Sequence, residues 1–221
     1  MNGYSYTALG DSITNGFAAY ACNGFAFNLC KFLKYKYGFT CCKNLGIPGI
    51  TSRGLLQNLN SSSEMRHAVK NSSIITISIG GNNIRKCTSD NYKHINKKIA
   101  DKELFKFKQD WITILECIRN DIGSSAKIYV MTLFNPYSYN DYNYELADFY
   151  IQQLNNIISD PYLLSSYGYS VVDIYSYFKM NNSEYWTFFN YPFNSIARSP
   201  HPTEEGHYQI TKVFINSIQN S

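Results

Sequence analysis

Short apolar runs alternate with amphipathic segments along the whole chain. The clearest run, residues 74–79, is almost entirely β-branched and stops at Gly80, which is typical of a strand buried on both faces of a sheet. Other short runs, bounded by turn residues, predict the remaining strands of the same sheet. They cover residues 4–9, 39–42, 126–134 and 169–175.

Segments with apolar residues at helical spacing separate these strands. They cover residues 25–37, 55–59, 93–122, 146–158 and 203–218. The third of these segments begins in a lysine-rich region, from Lys93 to Lys108, which we interpret as the solvated side of one long helix ending before Gly123. Thr203 predicts the start of the last helix, because a threonine cap followed by two acids suits the helix dipole.

This alternation of strands and helices requires right-handed crossovers and a mainly parallel sheet with helices on both sides. The sequence therefore predicts an α/β fold, a three-layer α/β/α sandwich with a mainly parallel five-stranded sheet. The chain length favours a single domain over residues 1–221. Residues 176–200 show no clear period, and a loop of that length inside a domain is often functional.

Composition excludes several classes of protein. Hydrophobic residues make up 44% of the chain and charged residues 16%, which is typical of a globular protein rather than a disordered one. The net charge of +4 is too weak to predict a nucleic-acid partner. Neither a signal peptide nor a membrane-spanning apolar run is visible, so we expect a cytoplasmic protein without stable membrane insertion, or a secreted one if a signal was removed.

The six cysteines form no CxxC pair, and the vicinal Cys41 and Cys42 rarely chelate a metal. We expect reduced, mostly buried thiols, with secreted disulfides as the alternative. Metal sites are not predicted, because no cysteine and histidine stand at ligand spacing. The chain also lacks a phosphate loop and a dinucleotide fingerprint, so no cofactor is expected.

Residues suited to acyl transfer follow three predicted strands and precede the last helix. Ser12 follows the first strand, Gly49 the second and Asn82 the third, while His201 stands just before the final helix. Acyl transfer needs a nucleophile, a base that titrates near neutral pH and donors for the oxyanion. Taken locally, a helix cap is the more common role for a serine in such a position. The glycine could equally be a turn residue, and the asparagine could equally be a helix cap.

Four segments in this order, 10–13, 44–49, 80–83 and 201–203, resemble the sequence blocks of the SGNH hydrolases, also called GDSL-type esterases and lipases. The resemblance implies that Ser12 attacks the ester carbonyl and that His201 takes and returns its proton. It also implies an oxyanion hole made of the main-chain N–H groups of Ser12 and Gly49 and the side-chain amide of Asn82.

This chain differs from the family pattern at the acidic residue that completes the catalytic triad with the serine and the histidine. Family members usually carry Asp three residues before the histidine, where this chain has Arg198. We expect a main-chain carbonyl, that of Arg198 itself, to accept from the second nitrogen of His201, with Asp173 as a weaker candidate. Three further histidines are expected to be structural or superficial. They are His207, inside the last helix, and His67 and His94, in polar stretches.

The leading hypothesis is a serine esterase or lipase that acts on a small-molecule, lipid or acylated-sugar ester. A carbohydrate O-acetyl esterase would use the same chemistry. A ligand-binding protein that has lost catalysis with the acid, or a flavodoxin-like binder of small ligands, are alternatives from another class. We expect the loops 135–143 and 175–199, rich in Tyr and Phe, to shape the acyl site. The oligomeric state is left open.

Overall fold

A computed structural model describes residues 3–20, 23–181, 185–190 and 198–221. The strands are β1 (Ser5–Gly10), β2 (Cys41–Gly46), β3 (Ile74–Ser78), β4 (Thr88–Ser89), β5 (His94–Ile95), β6 (Lys127–Met131) and β7 (Tyr169–Val172). Five of them form one sheet in the order β2-β1-β3-β6-β7, and every neighbouring pair in it is parallel. The predicted five-stranded parallel sheet is therefore confirmed.

Helices connect the strands and cover both faces of the sheet. They are α1 (Ser12–Asn15), α2 (Phe25–Tyr37), α3 (Ser52–Ser61), α4 (Ser63–Lys70), α5 (Gly81–Arg85), α6 (Lys97–Glu116), α7 (Tyr144–Ile158), α8 (Pro161–Tyr167), α9 (Ile174–Met180) and α10 (Glu204–Gln219). A π-helical turn, Cys117–Asp121, extends α6 toward Gly123. The helices confirm the three layers of the predicted α/β/α sandwich.

Two hydrophobic cores lie on opposite faces of the sheet. On one face, Leu9 and Ile77 of the sheet pack in a cluster with Trp111 of α6, and all three are fully buried. On the other face, Tyr6 packs in a cluster with Phe25 of α2 and with residues of α9 and α10. Because side chains alternate between the faces, β1 is buried on both sides. The residues that can meet a ligand are therefore those that follow its carboxyl end.

The structure corrects several element boundaries. The predicted strand 169–175 ends at Val172, and α9 extends into the stretch 176–200, which shows no clear period in the sequence. β2 covers Cys41–Gly46 rather than residues 39–42, because its pairing with β1 continues to the carboxyl end of both strands. Residues 93–96, predicted as the start of the long helix, do not belong to it. His94 and Ile95 form β5, which pairs antiparallel with β4 in a hairpin, and α6 begins only at Lys97, where the Asn96 side chain caps it by accepting from the N–H of Ile99.

The expectation of reduced thiols is wrong for one pair of cysteines. Cys30 of α2 and Cys42 of β2 form a disulfide, because the packing of the helix on the edge strand brings their Cα atoms to 6.1 Å. Cys87 and Cys117 are free and buried, whereas Cys41 is free and exposed. Cys22 lies outside the described residues. In the described ranges, no helix is long and apolar enough to cross a membrane.

Candidate active site

Ser12 lies in a tight turn at the carboxyl end of β1. Gly10 has φ +135°, and a Cβ there would lie 2.0 Å from the carbonyl oxygen of Ser78, so only glycine fits. The carboxylate of Asp11 accepts from the N–H of Ile13 and caps α1, while burial raises the pKa of this carboxyl to about 7. Ser12 is therefore the first residue of a one-turn helix, with its side chain facing the crevice at this edge of the sheet.

His201 lies next to Ser12 and within hydrogen-bond distance of its hydroxyl. Its Nε2 lies 2.9 Å from Ser12 Oγ, although the two residues are 189 positions apart in sequence. The His201 carbonyl accepts from the N–H of Phe188 at 3.0 Å, which ties the histidine to the segment before it. The imidazole also packs on Phe17, with ring centroids 4.6 Å apart. Burial, helped by the positive charge of Arg85, lowers the pKa of His201 and favours the neutral ring that can accept a proton.

The second nitrogen of the histidine faces a hydroxyl group. Nδ1 of His201 lies 2.7 Å from Ser199 Oγ, so a side chain stands where we expected the carbonyl of Arg198. Asp173 instead caps α9 and accepts from the hydroxyl of Thr132, and it makes no contact with the imidazole. Within the described residues, no carboxylate forms an ion pair or a hydrogen bond with the imidazole of His201. The sequence analysis did not predict Ser199, although this serine lies only two residues before the histidine.

Arg198 is turned away from the histidine. Its guanidinium makes an ion pair with Asp141, Nη1 to Oδ2, at 2.8 Å, and it lies over the ring of Phe189. The Asp141 side chain is only 6% exposed, so solvent screens this ion pair little on the carboxylate side. The pair joins the segment that carries Ser199 and His201 to the loop after β6.

The three residues expected to supply oxyanion donors, Ser12, Gly49 and Asn82, border one cavity, and His201 borders it too. Gly49 has φ +80°, with open space where a side chain would be. The carboxamide nitrogen of Asn82 donates to the carbonyl of Ile50 at 2.9 Å, which orients the amide and leaves its second N–H for a ligand. Among the described residues, the main-chain N–H groups of Ser12 and Gly49 have no acceptor. The arrangement offers three donors to a developing oxyanion.

A buried polar network holds the two donor loops together. The side chain of Asn83 accepts from the N–H of Ser52 at 3.1 Å and donates to the Ser52 hydroxyl at 3.1 Å. That hydroxyl in turn donates to Asp110 at 2.8 Å. Asn83 follows Asn82 directly, and Ser52 comes three residues after Gly49, so the network fixes one donor loop relative to the other. Asn83 falls within the segment 80–83 that resembles a family block, but no pattern in the sequence indicates its partner Ser52 or the link to Asp110.

The cavity beside Ser12 has a volume of about 470 Å³. Its walls are mainly apolar, and they include Ile84, Ile95, Leu133, Phe134, Tyr137 and Ile151. The predicted loop 135–143 contributes Pro136 and Tyr137, while residues 191–197 of the other predicted loop lie outside the described residues. The β4–β5 hairpin and α7 supply walls that the sequence did not predict.

The other histidines lie where the sequence predicted. His207 is fully buried in α10, where its Nδ1 accepts from the N–H of Phe25 and burial lowers its pKa to about 4. His67 and His94 are exposed. In the part of the chain that the structure describes, no group of three or more His, Cys, Asp or Glu side chains could hold a metal ion.

The parallel sheet and the four converging segments define the chain as an SGNH-type hydrolase. Residues 8–209 match the model of the GDSL-like Lipase/Acylhydrolase family. The chain belongs to this family, which places it in general among the hydrolases of carboxylic esters. No curated protein matches the sequence.

Solved structures share the fold at low sequence identity. A lipase, Lip_vut3, from a goat rumen metagenome is 23% identical, with a TM-score of 0.72 and 97% of each chain covered. Phospholipase A1 from Streptomyces albidoflavus NA297 is 17% identical, with a TM-score of 0.73 and coverage of 97% of this chain and 99% of that one. An acetyl xylan esterase, the W215I variant of Axe2 from Geobacillus stearothermophilus, is 18% identical, with a TM-score of 0.67 and coverage of 98% and 95%.

Proposed function

We propose that the chain is a serine esterase that cleaves carboxylic esters through an acyl-enzyme on Ser12. The observation that carries the proposal is the distance of 2.9 Å between His201 Nε2 and Ser12 Oγ at the edge of an apolar cavity. A hydroxyl that donates to a neutral imidazole can lose its proton as it attacks a carbonyl carbon. The lowered pKa of His201 keeps the ring neutral at neutral pH, as this role requires.

In the first half of the reaction, Ser12 Oγ forms a bond to the carbonyl carbon while its proton passes to His201 Nε2. The negative charge on the carbonyl oxygen is stabilised by the N–H groups of Ser12 and Gly49 and by the amide of Asn82. The imidazolium then gives the proton to the departing alkoxide, and the ester bond breaks. In the second half, His201 takes a proton from water as the water oxygen bonds to the acyl carbon. The imidazolium then returns a proton to Ser12 Oγ as the bond between Oγ and the acyl carbon breaks, which releases the carboxylic acid and restores the enzyme.

The Ser199 hydroxyl takes the place of the usual carboxylate in this scheme. For Nε2 to accept a proton, Nδ1 must carry one, and it then donates to Ser199 Oγ at 2.7 Å. This bond holds the ring orientation and tautomer, but a neutral oxygen stabilises the imidazolium less than a carboxylate would. We therefore propose an active enzyme that is slower than a Ser-His-Asp hydrolase of the same fold.

The cavity favours an ester with an extended apolar acyl group. A space of about 470 Å³ is within the range that buries most of a small ligand, and it is far larger than an acetyl group needs. We therefore favour an esterase or lipase acting on a lipid-like or small-molecule ester over a carbohydrate O-acetyl esterase. The close contact between Ser12 and His201 favours an enzyme over a protein that only binds ligands.

Hydrolysis of 4-nitrophenyl esters from acetyl to decanoyl tests this proposal. We expect the wild-type protein to prefer acyl chains longer than acetyl, and Ser12→Ala to reduce kcat by at least about 10³-fold. Ser63→Ala removes an exposed serine from the start of α4 and serves as the matched control. A preference for acetyl alone would favour the O-acetyl esterase instead.

A fluorophosphonate probe separates catalysis from simple binding. We expect mass spectrometry to find one phosphonyl group per chain on the wild-type protein and on Ser63→Ala, and none on Ser12→Ala. Folded wild-type protein that takes up no probe, with a normal circular dichroism spectrum, would contradict the proposed nucleophile. That result would favour the alternative of a ligand-binding protein.

The cytoplasmic location expected from the sequence is not supported by the cysteines. A disulfide such as Cys30–Cys42 persists mainly in oxidising compartments. We therefore propose that the protein works outside the reducing cytosol. Thiol alkylation of protein taken from its native compartment without reductant tests this, because the proposal requires Cys30 and Cys42 to resist labelling until a reductant is added.

A further inference from the structure

A second, polar recess of about 300 Å³ adjoins the acyl cavity. The two spaces share Gly49 and Asn82, the residues expected to hold the carbonyl oxygen of the ester, and they also share Arg85, Thr88, Asn91 and Tyr92. Beyond Gly49 and Asn82, the recess is bordered by hydroxyl, amide and cationic side chains. They include Thr51, Arg85, Lys86, Thr88, Ser89 and Asn91.

The charges around the recess favour an anion. Arg85 and Lys86 both border it, and no carboxylate does. Lys86 is partly neutralised by Glu103 at 3.6 Å, but Glu103 is also engaged by a second lysine at 2.7 Å. Arg85 is exposed and forms no ion pair with any of the described residues, and its guanidinium interacts with the hydroxyl of Tyr92, which also borders the recess. A guanidinium carries five N–H donors, so donors remain for a carboxylate or a phosphate.

The acid nearest in sequence does not neutralise the recess. Asp90, in the turn of the β4–β5 hairpin, lies 3.9 Å from Lys93 Nζ and 3.8 Å from His94 Nε2. The carboxylate of Asp90 therefore lies close to the side chains of Lys93 and His94, in its own hairpin. The positive potential of Arg85 also reaches the site, because its charge contributes to the lowered pKa of His201.

The position of the recess indicates which part of an ester it would meet. With the carbonyl oxygen at Gly49 and Asn82 and the acyl chain in the apolar cavity, the alcohol portion extends to the polar side. We propose that this recess is a subsite for an anionic group, a phosphate or a carboxylate, carried by the alcohol portion of the ester. The proposal rests on the proposed function, and Arg85 is its main binding residue.

Three matched butyryl esters test the subsite. Their alcohols are 4-hydroxyphenyl phosphate, 4-hydroxybenzoate and 4-hydroxybenzamide, so the first two carry an anion and the third is neutral. The measured quantity is the ratio of kcat/KM for each anionic ester to kcat/KM for the neutral one. Because every variant acts on the same three esters, differences between the leaving groups cancel when variants are compared.

We expect Arg85→Gln to lower this ratio by about 5- to 20-fold, as the loss of a charge-assisted hydrogen bond implies. Lys86→Gln should lower it less, because Glu103 already pairs with that lysine. Lys98→Gln, which removes an exposed lysine of α6 outside the recess, is the control and should leave the ratio unchanged. Equal ratios in wild type, Arg85→Gln and Lys98→Gln would overturn the proposal. The ester with the larger drop identifies phosphate or carboxylate as the group bound.

A binding measurement keeps this test independent of catalysis. 4-Hydroxyphenyl phosphate is titrated into Ser12→Ala protein and into Ser12→Ala combined with Arg85→Gln or Lys98→Gln, and followed by NMR. Binding that is weakened by Arg85→Gln but not by Lys98→Gln supports the subsite, even if no ester is hydrolysed and the proposed function fails. Binding that is the same in all three proteins, or absent from all, overturns it.

Discussion

The sharpest prediction concerns the hydroxyl that stands in place of the triad acid. Ser199→Ala removes the group 2.7 Å from His201 Nδ1 and leaves the contact between His201 and Ser12 intact. In the resting enzyme this is a bond between neutral groups, worth about 0.5–1.5 kcal/mol. In the transition state of the proposed mechanism the ring is an imidazolium, and a bond to a charged group is worth about 1.5–3 kcal/mol.

The difference between these two values sets the expected loss. A hydrogen bond that strengthens by about 1–1.5 kcal/mol as the ring becomes charged accounts for a roughly 5- to 13-fold fall in kcat, since 1.36 kcal/mol is a factor of ten. Loss of a triad carboxylate costs about 10⁴-fold, so the two kinds of partner give clearly different results. KM should change little, because the hydroxyl contacts the base and not the substrate.

Steady-state kinetics of Ser199→Ala and Ser199→Thr with one nitrophenyl ester measure this effect. Threonine keeps the hydroxyl and should restore most of the activity. The hydroxyl oxygen also stabilises the protonated ring, so Ser199→Ala should move the acidic limb of the pH profile to lower pH, a shift that a purely structural defect would not produce. Full activity of Ser199→Ala, or a loss near 10⁴-fold with normal folding, would refute the reasoning.

Three further predictions follow from the same geometry. Burial and the charge of Arg85 lower the pKa of His201, and the proposed mechanism uses only the neutral ring, so as the pH is lowered kcat/KM should reach half of its maximum below pH 6.5; a midpoint above pH 6.5 would contradict this. Asn83→Leu removes the two hydrogen bonds to Ser52 that hold the loop of Gly49. We expect the fluorophosphonate to label the folded variant roughly tenfold more slowly than the wild type, whereas an unchanged rate would exclude a positioning role for Asn83. Replacing Cys30 and Cys42 together by serine should lower the unfolding free energy by about 3 kcal/mol and Tm by roughly 6–12 °C in calorimetry; an unchanged Tm would show that the disulfide does not form.

The parallel sheet could be predicted because its strands carry their own signal. The run 74–79 is apolar throughout since β3 is covered on both faces, and Gly80 ends it at a positive φ that favours glycine. The meeting of Ser12 and His201 was predictable only through the family resemblance. No local pattern states that residues so far apart in sequence lie at one edge of the sheet.

The walls of the cavity could not be predicted in the same way. The β4–β5 hairpin has only two residues in each strand, too few for an alternating pattern, and it lies beside a lysine-rich helix whose pattern is much stronger. Helices α4 and α8 have only 8 and 7 residues, which is shorter than the window over which a helical period can be recognised in a sequence. The network around Asn83 is made of buried polar side chains, whose partners are set by tertiary contacts alone.

Arg198 stands where family members usually carry the acid, and neighbouring residues compensate for this difference. Arg198 cannot accept a hydrogen bond, so its presence removes the usual partner of the histidine. Its ion pair with the nearly buried Asp141 instead anchors the segment that carries Ser199, next in the chain, and this anchoring supports the hydroxyl at 2.7 Å from Nδ1. The carboxylate of Asp141 therefore does not contact His201. It holds the backbone of the segment that carries Ser199, and the neutral hydroxyl oxygen of Ser199 contacts the imidazole. Such an arrangement preserves the geometry of the base while giving up part of its electrostatic stabilisation, which is why we expect a slower hydrolase rather than an inactive one.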